Sequence, residues 1–258
     1  MSCHLPRARQ PRLAVFAFAL LLAPLARGEA QLFFGRDAGT GVALPSPVFS
    51  PNSVTARSQF LAAATGGTLA TDSFESYGTG LITALAGATV TYTDQASGLA
   101  GIRSGDDAIF GWNTTTGGRQ VLRMAPNDVG TTTSLTLTFA TPINVFGGYF
   151  TGVENGCGQT RVQWAGGDFL LPNTSVNNDC ELDRPAGIQF FGFISATPLS
   201  SVTFRQQGAR SPSFRDLFAF DDMVYGTATV VPEPGSVALL ASGLVALAAV
   251  VRRRRIAR

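Results

Sequence analysis

Lysine is absent from this chain, and histidine occurs once, as His4. With no histidine after the fourth position, a Ser-His-Asp or Cys-His nucleophile and the usual imidazole ligands of zinc are excluded from the body of the protein. Cysteine is nearly as scarce, with Cys3, Cys157 and Cys180 making up the complement, and charged residues are only 14% of the 258 positions. The basic charge that exists is unevenly placed. Of the arginines, four lie in the first thirty positions and five in the last seven, so that Gln31 to Val231 holds ten arginines against fifteen carboxylates. That central part is acidic, near minus five, and lacks the basic patch on which nucleic-acid binding depends.

The two ends explain the imbalance. Arg7, Arg9 and Arg12 precede LAVFAFALLLAPLA, an uncharged stretch too short for a comfortable membrane span, followed by the small residues Ala26, Gly28 and Ala30. A basic start, a short apolar core and small residues at the end form a secretory signal, with signal peptidase as the implied partner. Cleavage after Gly28 or after Ala30 suits the small-residue rule equally, and residues 1-30 are assigned to the signal. Once it is removed, Cys157 and Cys180 are the two thiols left in an oxidising compartment, and a disulfide between them is expected. It would close a loop of about two dozen residues, worth roughly 3 kcal/mol in the chain-entropy treatment.

At the other end, Val231 onward reads VPEPGSVALLASGLVALAAVVRRRRIAR. The run Gly235 to Val251 is uncharged and rich in Leu, Ala and Val, long enough to cross the hydrocarbon of a bilayer as a transmembrane helix. The cluster Arg252, Arg253, Arg254 and Arg255 would hold the C-terminus on the cytoplasmic side and leave the rest of the chain outside. A permanent anchor would share these features. The order of the parts, Pro232-Glu233-Pro234, then an apolar helix, then arginines, resembles the bacterial PEP-CTERM sorting signal. This resemblance implies an exosortase as partner, a membrane protease-transpeptidase that removes the helix and passes the protein to the cell surface or extracellular matrix. Residues 228-258 form this element.

Between the ends the pattern is one of strands. Residues 31-67 are read as a proline-containing, loosely ordered lead-in followed by one short helix in NSVTARSQFLAAATGG. In that helix Asn52 or Ser53 is the expected cap, Val54, Arg57, Phe60 and Leu61 the inner face, and Gly66-Gly67 the stop. From residue 68 to 227, segments of about six residues rich in Val, Ile, Thr, Phe and Tyr alternate with Gly, Asn, Asp and Pro. SLTLTF shows the alternation, with Leu135, Leu137 and Phe139 on one face and Thr136 and Thr138 on the other. Eleven such segments with no strong helix between them imply an all-β fold, an antiparallel β-sandwich of jelly-roll type.

FESYGTG, FFGFISATPLSSVTF and FAFDDMVYG resemble a pattern of exosortase-sorted surface proteins whose exported part is similar to carbohydrate-binding jelly rolls. Such domains often hold calcium between an acidic residue of an early strand and an aspartate of the last. The resemblance therefore nominates Glu75 and Asp222 as ligands of a structural calcium. Strict alternation puts Asp222 on the face of Phe218 and Phe220, where an unpaired carboxylate is costly, and leaves Asp221 to solvent unless a bulge turns both carboxylates toward one site. The absence of histidine and the hard oxygen donors favour calcium over zinc.

Trp112, at a strand end beside NTTTGG, is either a core residue or a stacking platform for a sugar ring, and extracellular polysaccharide is the ligand class that platform implies. The carboxylates Asp106, Asp107, Glu154, Asp168, Asp179, Glu181 and Asp183 fall in turns, where aspartate is favoured by its bonds to nearby backbone amides. A glycan hydrolase would need two of them facing each other. The expectation is a non-enzymatic exported protein with a structural or adhesive role.

Overall fold

Two segment pairs that read as four strands are two long ones. In the structure, a computed structural model that describes residues 30–107, 110–127, 132–154, 159–175, 186–207 and 216–229 with the single residues 243, 244 and 247, the chain runs β1 (Gln31–Asp37), α1 (Pro51–Ala63), β2 (Leu69–Asp72), β3 (Ala84–Leu85), β4 (Ala88–Thr93), β5 (Gly101–Ser104), β6 (Asp106–Asp107), β7 (Gly111–Trp112), β8 (Gln120–Met124), β9 (Thr132–Thr151), β10 (Gln159–Trp164), β11 (Gly167–Leu171), β12 (Ile188–Gln207) and β13 (Phe218–Gly226). All but the small β6-β7 pair join one antiparallel sheet, in the order β11-β10-β12-β9-β13-β8-β5, with β1 on β12, β2 on β13 and β3-β4 on β9. The N-terminal signal and nearly all of the C-terminal apolar run lie outside the described residues. Among the described residues no helix is long and apolar enough to cross a membrane.

β9 and β12 pair along their whole lengths, and both turn a corner at the same tripeptide, Ala140-Thr141-Pro142 in one and Ala196-Thr197-Pro198 in the other. Proline has no N–H for a ladder, and the register breaks here, between Ile194 and Leu199 and again between Leu199 and Ser201. The corner folds the sheet onto itself. Phe204 lies opposite Leu135, yet its ring centroid is 5.4 Å from that of Phe150, which a straight β9 would place about 50 Å further along at 3.3 Å per residue. Phe204 also meets Phe220 at 4.8 Å, and Phe146 stacks on Phe220 at 5.8 Å. These rings, with Leu135, Leu137, Phe191, Phe193 and Phe218, form the main core between the two layers. Full burial of each phenylalanine is worth about 2 kcal/mol, so this cluster is the main source of cohesion.

The corner also reverses which residues face inward. Before it, Leu135, Leu137 and Phe139 point to the core; after it, Phe146 and Phe150 do, while Val145 and Tyr149 face the opposite side. That outer side carries a second core, closed by α1 through Ala56, Phe60 and Ala64. Gly147 and Gly192 sit opposite each other on the outer face, and a Cβ on Gly192 would come within 2.9 Å of the Phe60 ring. The paired glycines thus leave the pit that Phe60 fills.

The lead-in is not loose. β1 pairs with β12 along all seven of its residues, from Gln31 opposite Ile194 to Asp37 opposite Ile188. It also supplies the cap that the helix lacks. Neither Asn52 nor Ser53 caps α1; Ser50 holds the cap position with its hydroxyl turned back to Ser46 rather than onto the helix, and Pro51 begins the helix. Asp37 instead accepts bonds from the N–H of Asn52 (3.1 Å), the N–H of Ser53 (2.8 Å), the Ser53 hydroxyl (2.6 Å) and the Asn52 side-chain amide (2.9 Å). A buried carboxylate on the positive end of a helix satisfies its free N–H groups and its dipole together. Asp37→Ala should therefore lower stability by about 2 kcal/mol in urea unfolding, and a loss below about 0.5 kcal/mol would mean that water serves the helix end equally well.

Candidate functional site

The last strand carries the acidic pair, and its geometry departs from alternation. Asp221 lies opposite Tyr149 and Val224 opposite Gly147, so Asp222 and Met223 together face the single residue Gly148. This is a β-bulge. Asp222 adopts a left-handed conformation (φ 48°), which aspartate tolerates better than most residues. The bulge resets the phase: Phe218, Phe220 and Met223 enter the main core, and Val224 turns to the outer one. Asp222 consequently does not share the phenylalanine face, and the fully buried carboxylate is Asp221, which alternation alone had assigned to solvent.

Both carboxylates meet the loop after β7. Asp221 Oδ2 accepts the backbone N–H of Thr114 at 2.6 Å and lies 2.9 Å from its hydroxyl. The same hydroxyl is 3.1 Å from Asp222 Oδ2, and the Thr115 hydroxyl donates to Asp222 Oδ1 at 2.7 Å. A threonine hydroxyl has one hydrogen to give. With both carboxyls ionised, one of its two contacts would set oxygen against oxygen. A proton on Asp221 removes the conflict, because the carboxyl then donates to Thr114 Oγ1 and frees the hydroxyl hydrogen for Asp222. Burial first, and the neighbouring Asp222 charge second, push Asp221 up to about 7 despite the opposing bonds from Thr114.

Glu75 reaches the same loop from the other side. The turn that presents it is held by Asp72, which accepts from the N–H of Phe74 at 2.9 Å and from the Tyr77 hydroxyl at 2.6 Å; Phe74 takes a left-handed φ of 62° and enters the main core. Glu75 Oε1 then accepts three bonds, from the Asn113 side chain (2.8 Å) and from the N–H groups of Arg119 (2.9 Å) and Gln120 (2.8 Å). A Cβ on Gly118 would lie 2.4 Å from that oxygen, so glycine is required where the carboxylate seats. Residues 113–120 are thereby clamped between an early turn and the last strand.

The three sequence segments FESYG, NTTTGG and FAFDD therefore do converge, but not as a calcium cage. Glu75 and Asp222 hold different residues of the loop, and the bonded oxygen of Glu75 is committed to three N–H donors. No cluster of three or more His, Cys, Asp or Glu side chains that could hold a metal occurs among the described residues. A cation of this kind needs six to eight oxygens, and these residues do not fit it. Their chemistry is that of hydrogen-bond acceptors locking a loop.

Trp112 is fully enclosed in the outer core, its indole N–H donated to the Ala43 carbonyl at 3.0 Å. An enclosed ring offers no face to a sugar, so the core alternative holds. Asp168 pairs with Arg161 at 2.6 Å on the surface, and Glu154 is buried. The side chains of Asp106 and Asp107, the residues Asp179, Glu181 and Asp183, the pair Cys157 and Cys180, the motif Pro232-Glu233-Pro234 and the arginines 252–255 lie outside the described residues. Thr114 and Thr115 are the participants that sequence reading passed over. The signal for them was the run of three threonines and two glycines, in a chain whose last strand carries two adjacent acids at its middle.

Residues 230–255 match the family model of the PEP-CTERM protein-sorting motif. The chain is thus a carrier of the exosortase sorting signal, which begins at the residue after Thr229, the last described residue of the folded part. No curated protein and no solved structure matches the chain.

The Asp221 environment has a signed consequence for stability. Its folded value, near 7, lies above the ordinary 3.8, so the native state binds more protons than the unfolded chain between those pH values. Stability falls as pH rises from about 4 to about 7, by up to the order of 4 kcal/mol, and then levels. Asp221→Asn, which keeps an acceptor for the Thr114 N–H, should flatten that slope in urea midpoints measured at pH 4.5 and pH 8. An unchanged slope in the variant would place the titration elsewhere.

Proposed function

We propose that this protein is an exported, non-enzymatic surface or matrix component: a folded antiparallel domain of jelly-roll character, delivered through the secretory route and released or transferred by an exosortase. The observation that carries this reading is the sorting motif at 230–255, set directly behind the end of the domain. Its work is structural or adhesive, with extracellular polysaccharide as the ligand class. The alternatives are a glycan hydrolase and a permanently anchored envelope protein. The hydrolase would need two carboxyls about 5 to 9.5 Å apart across the scissile bond, and an activity screen on matrix polysaccharides separates it from the structural reading.

Intact-mass measurement of the mature protein tests the reading. The wild type should lack Gly235 to Arg258, and the double variant Pro232→Ala, Pro234→Ala should retain the arginine tail and remain with the membrane. A wild type that keeps its arginines would establish the permanent anchor instead.

Export also favours a bond between Cys157 and Cys180. Their flanks support it, since Thr174 donates both its N–H (2.7 Å) and its hydroxyl (2.8 Å) to the Val153 carbonyl. Cys157 follows Val153 by four residues, and Cys180 follows Thr174 by six, so both cysteines lie within reach of one junction at about 3.5 Å per residue. Thiol labelling of the denatured, unreduced secreted protein should find no free cysteine; two labelled sites would disprove the bond.

A further inference from the structure

The folded domain has two unlike ends. At one, β9 and β12 turn their corners, and the other strands align with them: β1 starts there, with Gln31 opposite Ile194, and β13 finishes there, with Gly226 opposite Val145. Both chain exits therefore lie at the corner end. The C-terminal exit is clipped to it. The N–H of Thr229 donates to Thr65 (2.8 Å), the N–H of Thr227 to Thr68 (2.9 Å), and Asn144 exchanges two bonds with Ala228, at 2.8 and 2.9 Å.

The tethers beyond these points are short. Five residues separate Thr229 from Gly235, where the C-terminal apolar run begins, and four separate Gln31 from Ala26, where the N-terminal one ends. Even fully extended, these links span only about 20 Å and about 17 Å. Before either is cut, the domain is held by two short leashes leaving the same end.

That end carries no exposed charge among the described residues that form it. Its surface is made by Thr65, Ala86, Thr141, Pro142, Thr197 and Pro198, all exposed, with Leu32 at 46% exposure beside the N-terminal exit. Asp72 approaches from inside, but it is buried and taken up by Phe74 and Tyr77. The opposite end bears Arg36, Arg161 and Arg205, while Asp168, level with Thr203 through Gln163, lies midway and is paired with Arg161. An acidic domain is repelled by anionic headgroups, and charges pressed against a bilayer lose hydration; a neutral Thr, Ala and Pro surface avoids both costs.

We propose that in the unprocessed precursor the corner end of the sheet rests on the lipid surface from which its two apolar segments emerge, with the charged end pointing away. This rests on the membrane-held precursor reading above and adds an orientation to it. The sorting enzyme then meets its Pro-Glu-Pro segment in the narrow gap between domain and bilayer, beside the Thr227–Thr229 clip.

The absence of lysine makes the test direct, because one introduced lysine is the only side-chain amine. Full-length precursor carrying Thr197→Lys, or Thr141→Lys on the neighbouring corner, is compared with Gln207→Lys, which lies eight residues beyond Leu199 and so about 26 Å further from the corner. Each is placed in phosphatidylcholine vesicles doped with phosphatidylethanolamine bearing an amine-reactive ester on its headgroup. Lipid attachment is located by peptide mass, and variants are used only if they melt within a few degrees of wild type. Corner lysines should be acylated about tenfold more than Lys at 207, given that separation, and all sites equally in detergent. Equal acylation of corner and far sites in protein that resists carbonate extraction would overturn the orientation alone. Loss of the protein in carbonate would overturn the membrane-held reading and the orientation with it.

Discussion

Burial of the phenylalanine cluster between two halves of one sheet requires β9 and β12 to bend together, and most of the molecule follows from that requirement. Each corner releases the ladder at a proline and switches the inward-facing residues from one parity to the other. The first halves of the two strands are then free to close over the second halves, bringing Phe204 onto Phe150 and Phe220. The outer face of the returning layer is left apolar, with Val145, Tyr149, Ile188 and Phe190 exposed to whatever covers them. α1 is that cover, seated by Phe60 over two facing glycines and fixed at its start by Asp37.

The same corner sorts the molecule by charge. Strands that begin or end at it leave through short loops of threonine, alanine, glycine and proline, while among the described residues Arg36, Arg161 and Arg205 lie toward the other end. Polarity along the long axis is thus a product of topology, since no single stretch of the chain contains more than a small part of either end. The exit of both termini at the neutral end links the fold to the sorting signals that flank it.

The acidic pair shows how a tertiary environment redefines residues that look equivalent. Asp221 and Asp222 are neighbours of identical chemistry. One is sealed beneath Thr114 and holds its proton to near neutrality; the other keeps contact with solvent and takes the threonine hydroxyls. Because Glu75 grips the far side of the same loop, the bulge in the last strand and the turn after β2 are mechanically joined through residues 113–120. The loop acts as a strut between the turn after β2 and the last strand.

Sequence by itself determined the all-β class of the fold, through period-two alternation in segments such as SLTLTF, and the presence of a PEP-CTERM sorting motif, through a contiguous Pro-Glu-Pro, apolar run and arginine cluster. Both are local signals, readable because they depend on residues adjacent in the chain. It also marked FESYG and FAFDD as segments of interest, but not the threonines of NTTTGG that join them. Tertiary structure alone decided that four apparent strands are two, that Gln31–Asp37 belongs to the sheet, that Trp112 is enclosed, and that Asp221 rather than Asp222 is the buried acid. The physical reason is common to these. A corner or a bulge shifts the phase of alternation by one residue, and whether it forms depends on packing against strands dozens of residues away. Asp37 capping a helix that starts fourteen positions later is legible only once both are placed against the same glycine-lined face.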